Sequence, residues 1–362
     1  MMLAPGSTIG IIGGGQLGRM LAMAAARLGY HIAILEPQAE CPAAQLANRH
    51  IVAAYDDPAG LAELAAISAV ITYEFENVPV EAVEALAAKV PVLPPPRALE
   101  MSQDRLVEKQ FLNSIGIGTA PFLAVDSDAD LASALQDFGG NGVLKTRRMG
   151  YDGKGQRVFR NTKSTDCAGV FEDMGGVPLI LEGLISFERE ISVIGARDAN
   201  GHVAIYDAAE NVHRDGILHT STVPAAISPA MAGSAGEATA TLLDALGYVG
   251  VIGVEFFALE DGSLLVNEMA PRVHNSGHWT EVACTISQFE QHIRAIAGLT
   301  LGSPRRHSDC VMENLIGDDV ARLPELVAET DIMVHLYGKT QARAGRKMGH
   351  FTRIFVAPDV ST

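Results

Sequence analysis

The sequence predicts an α/β domain over residues 1–98, an α+β domain over residues 99–302 and a small β-rich unit over residues 303–362. Three observations carry this division. The first 95 residues alternate short apolar runs with Ala/Leu-rich helical stretches, which implies a doubly wound parallel sheet. "VLPPPRAL" then interrupts the chain, because three consecutive prolines cannot sit inside a helix or a central strand. Beyond it the pattern changes to apolar runs joined by hairpin-like turns.

In the first unit the expected strands are Ile9–Ile12, His31–Leu35, Ile51–Ala54 and Ala69–Phe75, with a short one at Pro91–Leu93. The helices between them include "QLGRMLAMAAARLG" and "PVEAVEALAAK". A helix over Glu100–Ile115 opens the second unit, followed by "PFLAV" and a helix over Asp128–Phe138. Three hairpins follow: "GVLKTRRMGYDGKGQRVF", "EISVIGARDANGHVAIYD" and "GVEFFALEDGSLLVNEM". The third unit, from Ser303, holds strands near Val311–Ile316 and Met333–Tyr337.

Bulk properties narrow the function classes. A length of 362 residues suits two or three domains, and the 48% of hydrophobic residues supports a normal core. No apolar run is long enough for a membrane span, and "MMLAPGSTIG" lacks the basic region of a secretory signal. Cys41, Cys167, Cys284 and Cys310 are far apart, which disfavours a zinc site or a disulfide framework and points to a reducing cytoplasm. The net charge of −16 speaks against nucleic-acid binding.

"IGIIGGGQLGRM" places Gly13, Gly15 and Gly18 in G-x-G-x-x-G spacing after a strand, and Glu36 ends the second apolar run. That is the pattern of a dinucleotide-binding turn with a ribose-binding acid, so an NAD(P)-dependent oxidoreductase is one reading.

Four other segments point elsewhere. In Gly253–His278 the Asp261-Gly262 turn is expected to pair Glu260 with Ser263, which sets Glu255 opposite Glu268. Facing carboxylates repel, but a divalent cation between them reverses that, and hard oxygen ligands suit Mg²⁺ on a nucleotide phosphate. The alternatives are one solvated Glu or a register shifted by a bulge. Neither carboxylate has the His or Cys company that zinc wants. "KTRRMGYDGKGQRV" clusters Gly150, Gly153 and Gly155 with Arg147, Arg148 and Lys154, either a phosphate-cradling hairpin tip or a basic surface loop. "LILEGLISFEREISV" ends one strand in Glu182 and starts the next at Glu190, as nucleoside-binding acids or solvated ones. "YGKTQARAGRKMGHFTR" holds Lys339, Arg343, Arg346, Lys347 and Arg353 with no acid, either a phosphate pocket or a solvated loop.

Together "GGGQLGRM", "YEFENVP", "QDRLVEKQFL", "GYDGKGQ", "VNEMAPRVHNSGHWT" and "GRKMGH" resemble the ATP-grasp superfamily and, within it, the 5-(carboxyamino)imidazole ribonucleotide synthase family. The resemblance covers nearly the whole chain, and "PRVHNSGH" with "GYDGKGQ" is a highly specific pair. It implies a Rossmann-like pre-ATP-grasp domain, a two-lobed ATP-grasp domain and a small C-terminal domain. The implied reaction joins bicarbonate to the amine of aminoimidazole ribonucleotide, converting ATP to ADP and phosphate through carboxyphosphate, in a cytoplasmic homodimer that binds neither nucleic acid nor membrane.

The same resemblance distributes roles. Arg105 and Lys145 would hold ATP phosphates under a lid of Gly150, Tyr151, Asp152, Gly153, Lys154, Gly155 and Gln156. Glu182, Gly183, Leu184 and Ile185 would take the adenine, Glu190 and His213 the ribose side, and Asn267 would face the nucleotide beside Glu268. Glu255 and Glu268 would carry Mg²⁺. Tyr151, Asp152 and Lys154 would face the ribonucleotide, with Lys339 and Arg346 on its phosphate. For the mechanism, beyond the resemblance, Arg272 with His274 and Asn275 beside it is expected to hold bicarbonate and then carboxyphosphate, and Asp152 or released phosphate to take the amine proton. Many ATP-grasp enzymes carry Asn two residues after the second Mg²⁺ carboxylate, where this chain has Ala270. In this architecture ATP belongs to the second domain, so the turn Gly13–Leu17, with N–H groups exposed at a helix N-terminus that favours anions, is expected to line the ribonucleotide side through Gly15, Gln16 and Leu17, near its phosphate. Other readings are a formate-using glycinamide ribonucleotide transformylase, a biotin carboxylase or a non-catalytic nucleotide sensor. "PRVHNSGH" and "GRKMGH" argue against the first two, and the intact lysine, lid and carboxylates against the last.

Overall fold

The computed structural model describes residues 2–150 and 155–355. Its first sheet has four parallel strands, ordered Arg49–Ile51, His31–Leu35, Thr8–Ile12 and Val70–Tyr73. The third strand in sequence ends earlier than Ile51–Ala54, because the chain turns at Ala54–Asp57 and Asp57 caps the helix Pro58–Ile67 through Gly60 N–H at 2.6 Å. Pro91–Leu93 contributes only an isolated bridge, Ile71 to Val92, since proline limits its ladder.

The turn after Thr8–Ile12 needs its glycine. Gly13 has φ +102°, and a Cβ there would lie 2.4 Å from Glu74 Cγ. Gly13→Ala is therefore expected to cost at least about 1–3 kcal/mol of stability, through overpacking and a disfavoured φ. A lowered urea midpoint with an unchanged m-value is the expected measurement.

The predicted Glu100–Ile115 helix is two helices, Pro96–Ser102 and Arg105–Ser114. Asp104 breaks it: extended in backbone, it caps the second helix at Leu106 N–H (3.0 Å) and receives both Arg147 Nε and Nη2 at 2.8–3.1 Å. Pro96 occupies the first turn of the first helix, where a missing N–H costs nothing, so the proline run starts a helix.

A second sheet, all antiparallel, runs Phe122–Val125, Leu179–Gly183, Gly142–Thr146, Gln156–Phe159. The third and largest runs Leu264–Ala270, Gly250–Ala258, Arg189–Arg197, Ala209–Arg214, Ile217–Val223, Asp309–Ile316, Lys347–Phe355, Ile332–Leu336, with Val203–Ile205 paired onto Arg189–Arg197. The three expected hairpins are all present. Among the described residues the strands after Ser303 build no sheet of their own. They extend the large one, because Ile217–Val223 offers its free edge and pairs Thr220 with Glu313.

The main core joins the first and large sheets. Trp279 is fully buried and meets Tyr206 edge to face at 6.3 Å. The helix Gln288–Ile296 packs between Gln16–Arg27 and Gly250–Ala258. Its buried His292 accepts Val251 N–H at Nδ1 (3.1 Å) and meets Thr72 Oγ1 at Nε2 (2.8 Å), tying the two sheets together through one ring. Among the described residues no helix is long and apolar enough to cross a membrane.

Candidate active site

The hairpin Gly250–Ala258/Leu264–Ala270 sets Glu255 directly opposite Glu268, by a different route from the expected one. The turn is one residue longer: Leu259 pairs with Ser263, Gly262 N–H returns to Leu259 O at 3.1 Å, and Gly262 takes φ +85°. That shifts the register by one as far as Val266. A bulge between Glu255 and Phe256, with Asn267 as the extra residue, shifts it back. The bulge also leaves Asn267 on the cavity wall, its buried Oδ1 without a hydrogen-bond partner among the described residues.

Above this hairpin lies a cavity of about 760 Å³ walled by the second and large sheets, with Gln16, Leu17 and the segment 74–77 closing it from the side of the first. At one end Val143, Val158, Leu184, Ile185 and the stacked pair Phe187–Phe257 (4.6 Å between centroids, 18° between planes) make an apolar slot suited to a planar base. Next to it Glu190 Oε2 and His213 Nδ1 stand 2.8 Å apart. Cations converge in the middle. Lys145 Nζ donates to Glu182 at 2.9 Å, and Arg105 Nη1 donates to Glu268 at 2.8 Å. At the far end Arg272 Nε donates to Glu76 at 2.5 Å, beside His274, Asn275, Gln16 and Leu17. His274 reaches the floor because Gly253 gives it room: a Cβ at Gly253 would lie 2.6 Å from His274 Cβ. Its Nε2 then stands 3.6 Å from Glu255 Oε1, so Glu255 does have histidine company, contrary to expectation.

Family models match the chain in this order: a ribonucleotide synthetase preATP-grasp domain over residues 6–103, an ATP-grasp domain over 110–289, and a phosphoribosylaminoimidazole carboxylase C-terminal domain over 310–359. N5-carboxyaminoimidazole ribonucleotide synthase of Brucella melitensis biotype 1 is 66% identical over 352 residues, covering 97% of each chain. The chain belongs to the N5-carboxyaminoimidazole ribonucleotide synthase family. The enzyme of that name from Bacillus subtilis is 42% identical, over 97% of this chain and 92% of its own. The crystal structure of an N5-carboxyaminoimidazole ribonucleotide synthetase in its ADP complex superposes with a TM-score of 0.94 at 41% identity, over 99% of this chain and 95% of its own. The synthase of Aspergillus clavatus, solved with ADP and 5-aminoimidazole ribonucleotide, gives 0.90 at 31% identity, over 97% and 94%. As a member of this synthase family the chain is an ATP-dependent ligase of purine biosynthesis.

Burial and mutual repulsion split the facing carboxylates of this synthase fold. Burial first, then the Glu268 charge, pushes Glu255 up to about 7. Burial acts on Glu268 in the same sense, but Arg105 outweighs it and holds that carboxyl at about 2. Oxygen donors face each other at Glu255 and Glu268, and the unpartnered Asn267 Oδ1 adds a third, so the residues present fit a hard divalent cation. Binding such a cation displaces the Glu255 proton. Mg²⁺ affinity is therefore expected to rise with pH, by up to about tenfold per unit below pH 7, and to level off above it. Calorimetric titration of Mg²⁺ with a non-hydrolysable ATP analogue from pH 5.5 to 8.5 checks this, and Glu255→Gln should flatten the curve.

Lys145, Arg105, Gly150, Gly155, Gln156, Glu182, Gly183, Leu184, Ile185, Glu190, His213, Glu255, Asn267, Glu268, Arg272, His274, Asn275, Gln16 and Leu17 all line this one cavity. Tyr151, Asp152, Gly153 and Lys154 lie outside the described residues. Three expectations need correction. The loop amides are not available to an anion: Gly14 N–H donates to Glu36 at 3.0 Å, Gly18 N–H donates to Glu74 at 2.6 Å, and Gly15 N–H also donates to Glu74. Gly15 accordingly does not reach the cavity wall, and Glu36 is spent on Gly14 and on Tyr55 Oη–H at 2.6 Å. Lys339 and Arg346 are not on the wall of this cavity: they donate to Lys347 O (2.7 Å) and Gln341 O (2.9 Å), while Lys347 itself lines it. The Asn275 side chain is buried in a reciprocal amide pair with Asn314, at 2.8 and 3.0 Å.

Other contributors escaped sequence reasoning. Lys109, 1% exposed, spans Asn267 O (3.1 Å) and Glu182 (3.5 Å), linking the hairpin of facing carboxylates to the apolar slot. Its neighbour Glu108 accepts Met269 N–H at 2.6 Å, and burial with the nearby Glu268 raises its pKa to about 8. Both sit on a helix whose amphipathic pattern makes them look like solvated charges, and only charge at a core-facing helical position hinted otherwise.

Proposed function

We propose that this cavity activates bicarbonate with ATP and transfers the carboxyl group to the exocyclic amine of aminoimidazole ribonucleotide. The observation that carries the reading is the facing pair Glu255–Glu268 with Arg105, Lys145 and Arg272 converging on the same space. It also rests on the Aspergillus clavatus synthase having been solved with ADP and the ribonucleotide.

The base takes the apolar slot, and Lys145 and Arg105 turn from their carboxylate partners toward the phosphates. Glu255 and Glu268 would hold Mg²⁺, which supplies charge neutralisation on the transferring phosphoryl group when bound. A bicarbonate oxygen attacks the γ-phosphorus, the bond to the β-bridging oxygen breaks, and ADP leaves. Arg272 and His274 hold bicarbonate and the resulting carboxyphosphate. Burial and the adjacent Arg272 push the His274 ring down to about 3, so it enters as neutral imidazole, a hydrogen-bonding partner with no charge of its own. The amine attacks the carbonyl carbon, or CO₂ released from it, phosphate departs, and the amine proton passes to that phosphate or to Asp152. Closure of Gly150–Gln156 would keep water from the intermediate.

Phosphate release from ATP, assayed with and without bicarbonate and the ribonucleotide, tests the reading. Release should require both. Release that ignores the ribonucleotide would remove the substrate assignment and leave the fold untouched. An NAD(P)-dependent reading is disfavoured by Glu74 and Glu36 filling the loop amides that a pyrophosphate would need. A homodimer in a reducing cytoplasm is part of the same proposal; sedimentation velocity at assay concentration tests the dimer.

A further inference from the structure

Two of the motifs that single out the family contain residues with no place in the chemistry above. "VNEMAPRVHNSGHWT" contributes His278, with Glu281 the residue just past its end, and "GRKMGH" contributes His350. The fold brings them together about His335. Strands Ile332–Leu336 and Lys347–Phe355 pair His335 with His350 in register, their rings 5.3 Å apart and nearly parallel, and Glu281 approaches from the short helix Thr280–Ala283.

Glu281 Oε2 stands 3.1 Å from His335 Nδ1 and 3.8 Å from His350 Nε2, and one ligand atom from each of the three residues lies within 4.8 Å of the others. Bonds of about 2.0–2.1 Å in a tetrahedral zinc site place ligand atoms roughly 3.3 Å apart, and the two shorter separations bracket that value. His350 is 1% exposed, and its Nδ1 meets Tyr337 Oη at 2.9 Å; with the proton on Nδ1 and Tyr337 accepting it, this is the outer contact of a ligating imidazole and leaves the Nε2 lone pair for an ion. The contact from Nε2 to Glu281, at 3.8 Å, exceeds hydrogen-bond length. Burial keeps the His350 ring neutral, the form that ligates.

A second observation points to a ligand beside the cluster. His278 is fully buried, with its ring 4.8 Å from that of His350. Its Nδ1 accepts from Gln288 Nε2 at 3.1 Å, so the proton sits on Nε2, which has no partner among the described residues. Glu281 and His335 keep 21% and 14% of their side-chain surface exposed, which leaves an entry path.

We propose that Glu281, His335 and His350 form a second metal site, separate from Glu255–Glu268, for a borderline divalent transition ion of the zinc class. Two imidazoles and one carboxylate match zinc's donor preference and differ from the all-oxygen set that suits Mg²⁺. A water on the open fourth position would give the His278 N–H an acceptor. The ion would staple the Thr280–Ala283 helix to the two last strands of the large sheet.

Cobalt(II) is the probe, because tetrahedral nitrogen and oxygen ligation gives visible ligand-field bands. Chelator-stripped full-length protein should take up one equivalent of Co²⁺ with such bands, displaced by Zn²⁺, and should melt at a higher temperature when loaded. The bands should survive Glu255→Gln/Glu268→Gln, and affinity should fall by at least about tenfold in Tyr337→Phe, which removes only the outer contact. His335→Gln, on a partly exposed strand, should abolish the bands while circular dichroism stays native. Bands lost in the Glu255→Gln/Glu268→Gln protein, bands retained in His335→Gln, or no stoichiometric uptake by natively folded protein would each overturn the proposal.

Discussion

Arg272→Ala is expected to abolish turnover while leaving ATP binding largely intact. Arg272 stands at the end of the cavity away from the base slot, with Nε 2.5 Å from Glu76 and Nη1 3.2 Å from Val273 O. Burial opposes its charge, and the Glu76 and Glu268 carboxylates more than restore it. In the proposed function it is the fixed cation that would offset the charge repulsion between bicarbonate and ATP. Truncation also strands Glu76, so folding stability falls. The loss should be smaller than the about 3–5 kcal/mol of a fully buried pair, because Glu76 keeps 28% of its side-chain surface exposed. The two effects separate in Arg272→Ala/Glu76→Gln, which should recover the urea midpoint without recovering turnover. Calorimetric ATP titration and steady-state phosphate release supply the measurements, and retained turnover in the single variant would remove Arg272 from this role.

Glu268→Gln is expected to lower kcat on the order of 10²–10³-fold, the cost of losing one preorganised electrostatic contact to a developing charge. The substitution keeps the shape of the strand and of the bulge but takes from Arg105 its charged partner, so the thermal midpoint should fall as well. A further signature follows from the coupling across the hairpin. Removing the Glu268 charge takes away one of the causes that hold Glu255 near 7, so the pH dependence of Mg²⁺ binding should move to lower pH. A variant with weak turnover and an unmoved pH profile would show that the two carboxylates do not act on one ion.

Legibility of the sequence divided along a physical line. Period and punctuation displayed the parallel sheet and all three hairpins, because both are local. The facing carboxylates were visible too, although by a turn one residue too short and a bulge left out, two errors that cancel at Glu255. What the pattern could not show was long-range charge pairing. Glu74 and Glu36 look like a strand-end acid and a ribose ligand in sequence, and only their distance from Gly14, Gly15 and Gly18 in the fold reveals that they cap the loop. Lys339 and Arg346 stand off the cavity wall with hydrogen bonds to carbonyls of their own loop, a contact their letters do not announce. Lys109 and Glu108 were missed because a buried charge and a solvated one are the same letter.

The continuity of the large sheet across Ile217–Val223 and Asp309–Ile316 bears on how this molecule can be taken apart. Strand Ile217–Val223 is interior to the sheet only because the later strands cover it. Cut the chain after residue 302 and its hydrogen-bonding rim faces water, a ready template for pairing with another copy. The last sixty residues are thus less a module than a seam, and an exchange of modules between relatives that cut there would leave a sticky edge on the very sheet that carries the chemistry.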